Sequence, residues 1–169
     1  MRWPGRIPAG EDSADMLMTI DLLPTIAAVV GAGLPERKID GLDVWPVISR
    51  QSGAKNPHVA YWFYYENNQL QAVTSGDGRW KLQLPHGYRT MAGKPGGRDG
   101  TPASYSQNRV KQSELYDLTD DIGESKDVSA KHPEVVAKLE AEAENARAEL
   151  GDSLTKRSGV GTREPGLRR

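Results

Sequence analysis

Residues 58–65, 70–75 and 79–84 are rich in aromatic and β-branched side chains, and Asn67-Asn68 and Gly76-Asp77-Gly78 separate them. Short strands joined by turns of this kind pair with their neighbours in sequence, so this stretch predicts an antiparallel meander. Residues 114–118 (ELYDL) supply a fourth short strand. A small sheet with one apolar face needs a cover. Pro133 opens a helical pattern in which Val136, Leu139, Ala143, Ala146 and Leu150 form one stripe, with Glu and Lys on the other face. That helix is expected to dock on the sheet.

The first 53 residues read differently. Residues 1–10 (MRWPGRIPAG) carry two prolines and two glycines around Trp3 and Ile7, the composition of an irregular connection. Asp21 is placed to cap a helix over Leu22 to Val30, with Pro24 in the first turn and Gly31 or Gly33 as the left-handed stop. Leu23, Ile26, Ala27 and Val30 share one face of it. The sheet already has a cover, so this face is expected to pack on something beyond the chain. Residues 35–53 read as an ordered surface connection, in which Asp40-Gly41 signals a turn and Pro46 blocks a central strand.

The apolar stretch from Ile20 to Leu34 is interrupted by Asp21, Pro24 and Gly31 and falls short of the ~20 residues that span a bilayer. Acids rather than bases precede it, which argues against a signal peptide. The expectation is a cytoplasmic protein, or one whose start lies upstream.

Lys and Arg number 22 against 23 Asp and Glu in 169 residues, so no global field favours nucleic acid or an anionic membrane. Any anion binding must be local. The chain has no Cys, which excludes disulfides, thiolate metal sites and a Cys nucleophile. The interval 85–113 is far longer than the ~12–15 residues at which structureless loops become uncommon. It holds Arg89, Lys94, Arg98, Arg109 and Lys111 against Asp99 alone, with His86, Tyr88 and Tyr105 among them. An anion site is conceivable there. His58 and His132 read as structural. Alternation sends Trp62 and Tyr64 to one face of their strand and Phe63 and Tyr65 to the other, so that row is assigned to packing rather than to a sugar platform.

Five segments in order, RWPGRIPAG, IDLLPTIAAVVGAGLP, IDGLDVWPVI, LQAVTSGDGRWKL and ELYDLTDDIGESKDVSAKHPEVVAKL, resemble the C-terminal part of a type I sulfatase of the arylsulfatase group, in the alkaline-phosphatase-like superfamily. The segment Pro85-His86-Gly87-Tyr88-Arg89 resembles the PHxYR of bacterial arylsulfatases. The fold implied is α/β. Residues 1–50 would complete the edge of a larger catalytic domain, residues 51–152 would form a smaller subdomain of antiparallel sheet plus helix, and residues 153–169 a flexible basic tail.

The resemblance also implies sulfate ester hydrolysis by a formylglycine made in a C/S-x-P-x-R motif, with calcium orienting the sulfate. Neither cofactor can be assigned to residues of this chain. It has no Cys and no Ser followed two residues later by Pro, so catalytic and metal-binding residues are expected in a preceding catalytic portion, the implied partner. Asp120-Asp121 reads as a structural turn. In such an arrangement His86, Tyr88 and Arg89 are the candidates for substrate contact, and the parent protein is expected to be periplasmic or secreted. Two other readings stay open: a free-standing, non-catalytic module that binds sulfated or anionic glycans through residues 85–113, and a related hydrolase acting on phosphate or phosphonate esters.

Overall fold

The computed structural model describes residues 1–91 and 93–163. Two compact units emerge, Met1–Tyr61 with Ser75–Arg79 and Trp62–Thr74 with Trp80–Arg169.

In the first unit, helix α1 spans Leu22–Val30 and ends at Gly31, whose φ of 69° is the left-handed stop expected from the sequence. Asp21 does not cap it. The carboxylate instead accepts hydrogen bonds from the backbone N–H groups of Met18 (3.1 Å) and Leu42 (3.0 Å) and lies 2.7 Å from His58 Nε2. It is 1% exposed, so one side chain ties three separate stretches of chain together. Close packing at that junction requires Gly41, where a Cβ would lie 1.9 Å from the Ile20 carbonyl oxygen.

Thr25 adds a second tie by accepting from the Val44 N–H at 3.0 Å. The expected surface connection contains a short helix, α2 (Trp45–Ile48). Pro46 excludes a strand there, but the same missing N–H costs nothing in a helix's first turn. Trp3 packs on Trp45 with ring centroids 5.3 Å apart, which anchors the irregular opening segment.

In the second unit a four-stranded sheet runs in the order β1 (Ala60–Tyr65), β2 (Gln69–Ser75), β3 (Trp80–Gln83), then β6 (Glu114–Asp117). The register Val73↔Leu82 and Leu82↔Leu115 aligns three buried side chains on one face. Helix α3 (Pro133–Leu150) contributes Leu139, Ala143 and Ala146 to the core, all 1% exposed or less. The expected stripe is therefore the buried one, with its two end residues only partly covered. Tyr64 donates its hydroxyl to the carbonyls of Ala146 (3.1 Å) and Gly151 (2.8 Å), and burial pushes its pKa up to about 12.

The interval 85–113 is not structureless. It folds into a hairpin of β4 (His86–Thr90) and β5 (Ser106–Val110), paired from His86↔Val110 to Thr90↔Ser106. The sequence hides it because Ser106 to Asn108 and Arg89 are polar on both faces, so no alternation betrays the strands. A further two-residue ladder joins β7 (Gly151–Asp152) to β8 (Arg157–Ser158), the latter in the stretch expected to be a flexible basic tail. It closes there because Asp152, wholly buried, accepts from Arg147 Nε (3.0 Å) and from the Leu154 N–H (2.9 Å). The last part of the expected tail, 164–169, lies outside the described residues.

Candidate functional site

His86, Tyr88 and Arg89 all lie on β4, where the strand's two-residue period divides them. His86 and Tyr88 share one face, with ring centroids 6.0 Å apart, while Arg89 belongs with Gly87 and, across the ladder, with Gln107 and Arg109. His86 is buried and its Nδ1 lies 2.6 Å from the Leu84 carbonyl oxygen. A carbonyl only accepts, so Nδ1 carries the proton, and in the neutral ring Nε2 is an acceptor. Tyr88 accepts a hydrogen bond at its hydroxyl from Asn108 Nδ2 (2.8 Å). Arg89 rests over the Tyr105 ring at 5.3 Å. Among the described residues it has no carboxylate partner.

The hairpin's inner face closes a cavity of about 520 Å³ over the sheet, lined by Phe63, Tyr65, Lys81, Gln83, His86 and Tyr88 among others. Glu124 organises its floor, holding Lys81 Nζ at 2.6 Å with one oxygen and Gln83 Nε2 at 2.7 Å with the other. Its backbone sits at φ 51°, an uncommon conformation for a residue with a Cβ. Beside Glu124, Tyr116 donates to Glu114 at 2.6 Å, and burial together with that carboxylate raises the phenol's pKa. A second cavity of about 520 Å³ takes in Arg89, Tyr105 and Gln107, and shares Tyr65, Gln71 and Tyr88 with the first.

Sequence reading missed Lys81 and Gln83 on β3 and Glu124 beyond β6, two segments that meet only through strand pairing. It also set aside Phe63 and Tyr65. Phe63 and Tyr65 share one face of β1, and both line the cavity.

Asp121, of the expected structural pair, is consumed by its turn. It accepts from the N–H groups of Ser125 and Lys126, both at 2.8 Å, and the Lys126 bond leads the influences that lower its pKa. Among the described residues no group of three His, Asp or Glu side chains is placed to hold a metal ion. The calcium implied by the resemblance finds no such donor set among the described residues. No described helix is long and apolar enough to cross a membrane.

A family model described as the C-terminal region of aryl-sulfatase matches residues 56–164. The chain belongs to the aryl-sulfatase C-terminal family. A second model, N-sulphoglucosamine sulphohydrolase, C-terminal, matches residues 1–83. Steryl-sulfatase of Mus musculus is 32% identical over 167 residues, which cover 89% of this chain and 26% of that protein. Arylsulfatase A of Homo sapiens is 28% identical over 162 residues, covering 90% of this chain and 30% of that one.

The chain thus spans under a third of the length of these relatives. They are mammalian, so the bacterial affinity expected from the PHxYR segment is not what they display. Among solved structures, one from Bacteroides thetaiotaomicron, concerned with metabolism of multiple glycosaminoglycans, superposes with a TM-score of 0.54 at 24% identity, over 75% of this chain and 24% of that one. Another, a protein in complex with its substrate D-glucosamine-2-N,6-O-disulfate, has a TM-score of 0.53 at 18% identity, over 86% of this chain and 27% of its own. At these identities the likeness is one of fold.

Proposed function

We propose that this chain supplies the C-terminal subdomain of an arylsulfatase-like sulfuric ester hydrolase and that Tyr88 and Arg89, positioned by the buried His86, contact the substrate. Residues 1–50 then complete the edge of the catalytic domain and residues 51–152 form the smaller subdomain. The PHGYR hairpin is read as the bacterial arylsulfatase form of that contact. One observation carries the reading. Within a sulfatase C-terminal fold, the hairpin presents at a cavity an arginine that has no carboxylate partner among the described residues. A guanidinium kept free of protein carboxylates is suited to a sulfate ester, whose oxygens accept paired N–H donors.

The nucleophile and the calcium belong, on this reading, to the preceding catalytic portion, and no residue of this chain is assigned to hold either. What this chain adds is binding and orientation. His86 is a positioning residue, because its Nδ1–H is spent on the Leu84 carbonyl and fixes the first residue of β4.

The test uses the protein that includes the catalytic portion. Loss of a hydrogen bond to a charged group is worth about 1.5–3 kcal/mol, so Arg89→Ala should lower kcat/KM for an aryl sulfate by about 10- to 100-fold. Its melting temperature should hardly move, since the side chain makes no ion pair among the described residues. A large fall in melting temperature with unchanged kinetics would assign Arg89 to structure instead.

A further inference from the structure

Residues 93–102, between β4 and β5, form the longest uninterrupted exposed run among the described residues. Glycine or proline occupies six of its positions, 93, 95, 96, 97, 100 and 102, so the run has no large apolar side chain to bury. Its outermost turn closes on the bridge Arg98↔Thr101, where the Thr101 N–H donates to the Arg98 carbonyl at 2.8 Å. Asp99 and Gly100 within that turn both take positive φ, 51° and 76°. A turn with no buried group behind it opens at little cost, and an endoprotease needs that opening to draw a segment into its cleft in extended form.

Two basic residues lie in the run. Lys94 is followed by Pro95, whose ring fixes φ and removes the N–H, so an endoprotease that selects basic residues leaves that bond intact. The bond after Arg98 has no such protection. Other exposed basic residues are held more firmly: Arg157 pairs with Glu144 at 2.5 Å in the β7–β8 ladder, which the buried Asp152 anchors. Arg37 and Lys38 lie in the next longest exposed run, 30–38, directly after α1, whose apolar face calls for cover beyond this chain.

We infer that the bond between Arg98 and Asp99 is a processing site for a trypsin-like endoprotease, which converts the protein into two chains that stay together. The step is hydrolysis: the Arg98 carbonyl carbon gains the oxygen of water and becomes a carboxylate, and the Asp99 nitrogen leaves with both protons as an ammonium. The parts remain joined because pairing crosses the cut twice, β4 with β5 beside it and β3 with β6 in the sheet. Leu139, Ala143 and Ala146 follow the cut, while Leu70, Val73 and Leu82 precede it, and all six are core residues of the second unit. The inference uses no part of the substrate-contact reading.

The test is brief digestion with dilute trypsin of the protein that includes the catalytic portion, with fragments mapped by mass spectrometry and N-terminal sequencing. Among cuts within residues 1–169 the first should fall after Arg98 and expose the sequence Asp-Gly-Thr-Pro-Ala. The two parts should co-elute in gel filtration with an unchanged circular dichroism spectrum. Arg98→Gln should lose that cut and keep its melting temperature, and Pro95→Ala should add an early cut after Lys94, where the run is equally open. A first cut after Arg37, Lys38 or any other basic residue of this chain, or separation of the two parts, would overturn the inference. None of these readouts depends on sulfate ester turnover, so this inference and the proposed function fail separately.

Discussion

Replacing Asp21 with alanine should destabilise the first unit by about 3–5 kcal/mol, the usual cost of removing one partner from a buried, hydrogen-bonded ion pair or network. The side chain is 1% exposed and accepts from the Met18 and Leu42 N–H groups besides meeting His58 at 2.7 Å. Removing it strands two backbone donors and leaves His58 facing a void. For a chain of this length each kcal/mol moves the melting temperature by roughly 2–4 °C, so a fall of about 6–20 °C is expected. Asp21→Asn keeps an acceptor for the N–H groups and should lose less. A melting temperature within 2 °C of the parent for Asp21→Ala, read by calorimetry, would show that these contacts do not hold the unit together.

The second large effect comes from α1, which turns Pro24, Thr25 and Ala27 inward and leaves Leu23, Ile26 and Val30 exposed by 54%, 58% and 67%. Leu22 is 41% exposed beside them. Burying a large apolar side chain fully is worth about 1.5–3 kcal/mol, and these four are roughly half uncovered, so some 3–6 kcal/mol of burial stands unused. That is comparable to the ~5–15 kcal/mol stability of a whole domain. The isolated chain should therefore self-associate at micromolar concentration in sedimentation velocity. Ile26→Lys combined with Val30→Glu should restore the monomer with unchanged helix content, and in the protein that includes the catalytic portion the same pair should abolish activity. A wild-type chain that stays monomeric at 100 µM would refute this.

Much of the fold was legible because the local signals agree with one another. The helix from Leu22 to Val30 was bracketed by Pro24 and Gly31, and the meander by Asn68, at φ 59°, and Gly78, at φ 75°. Gly76 was marked as a turn residue for a stronger reason than the turn, since a Cβ there would lie 1.8 Å from the His58 carbonyl oxygen. The β4–β5 hairpin was not legible, because its strands carry no apolar period and pair with each other rather than with the sheet. Asp21 misled for a different reason. Sequence shows that an acid precedes a helix, but not that Leu42 and His58 return to it from 21 and 37 residues away.

The site was legible as a segment and not as a surface. His86, Tyr88 and Arg89 drew attention through a motif, and the strand then sent Arg89 to the face opposite His86. Lys81, Gln83 and Glu124 carry no motif and converge only in three dimensions.

The central claim is that this chain completes a sulfuric ester hydrolase whose reacting groups lie in another part of the protein. Its most direct test is turnover of p-nitrophenyl sulfate by the purified 169-residue chain, compared with the same chain extended by the reading frame that precedes Met1. The chain alone should give no turnover above background, and the extended protein, carrying a C/S-x-P-x-R segment converted to formylglycine, should hydrolyse the ester. Turnover by the 169 residues alone, or an extended protein without that segment and without activity, would contradict the account.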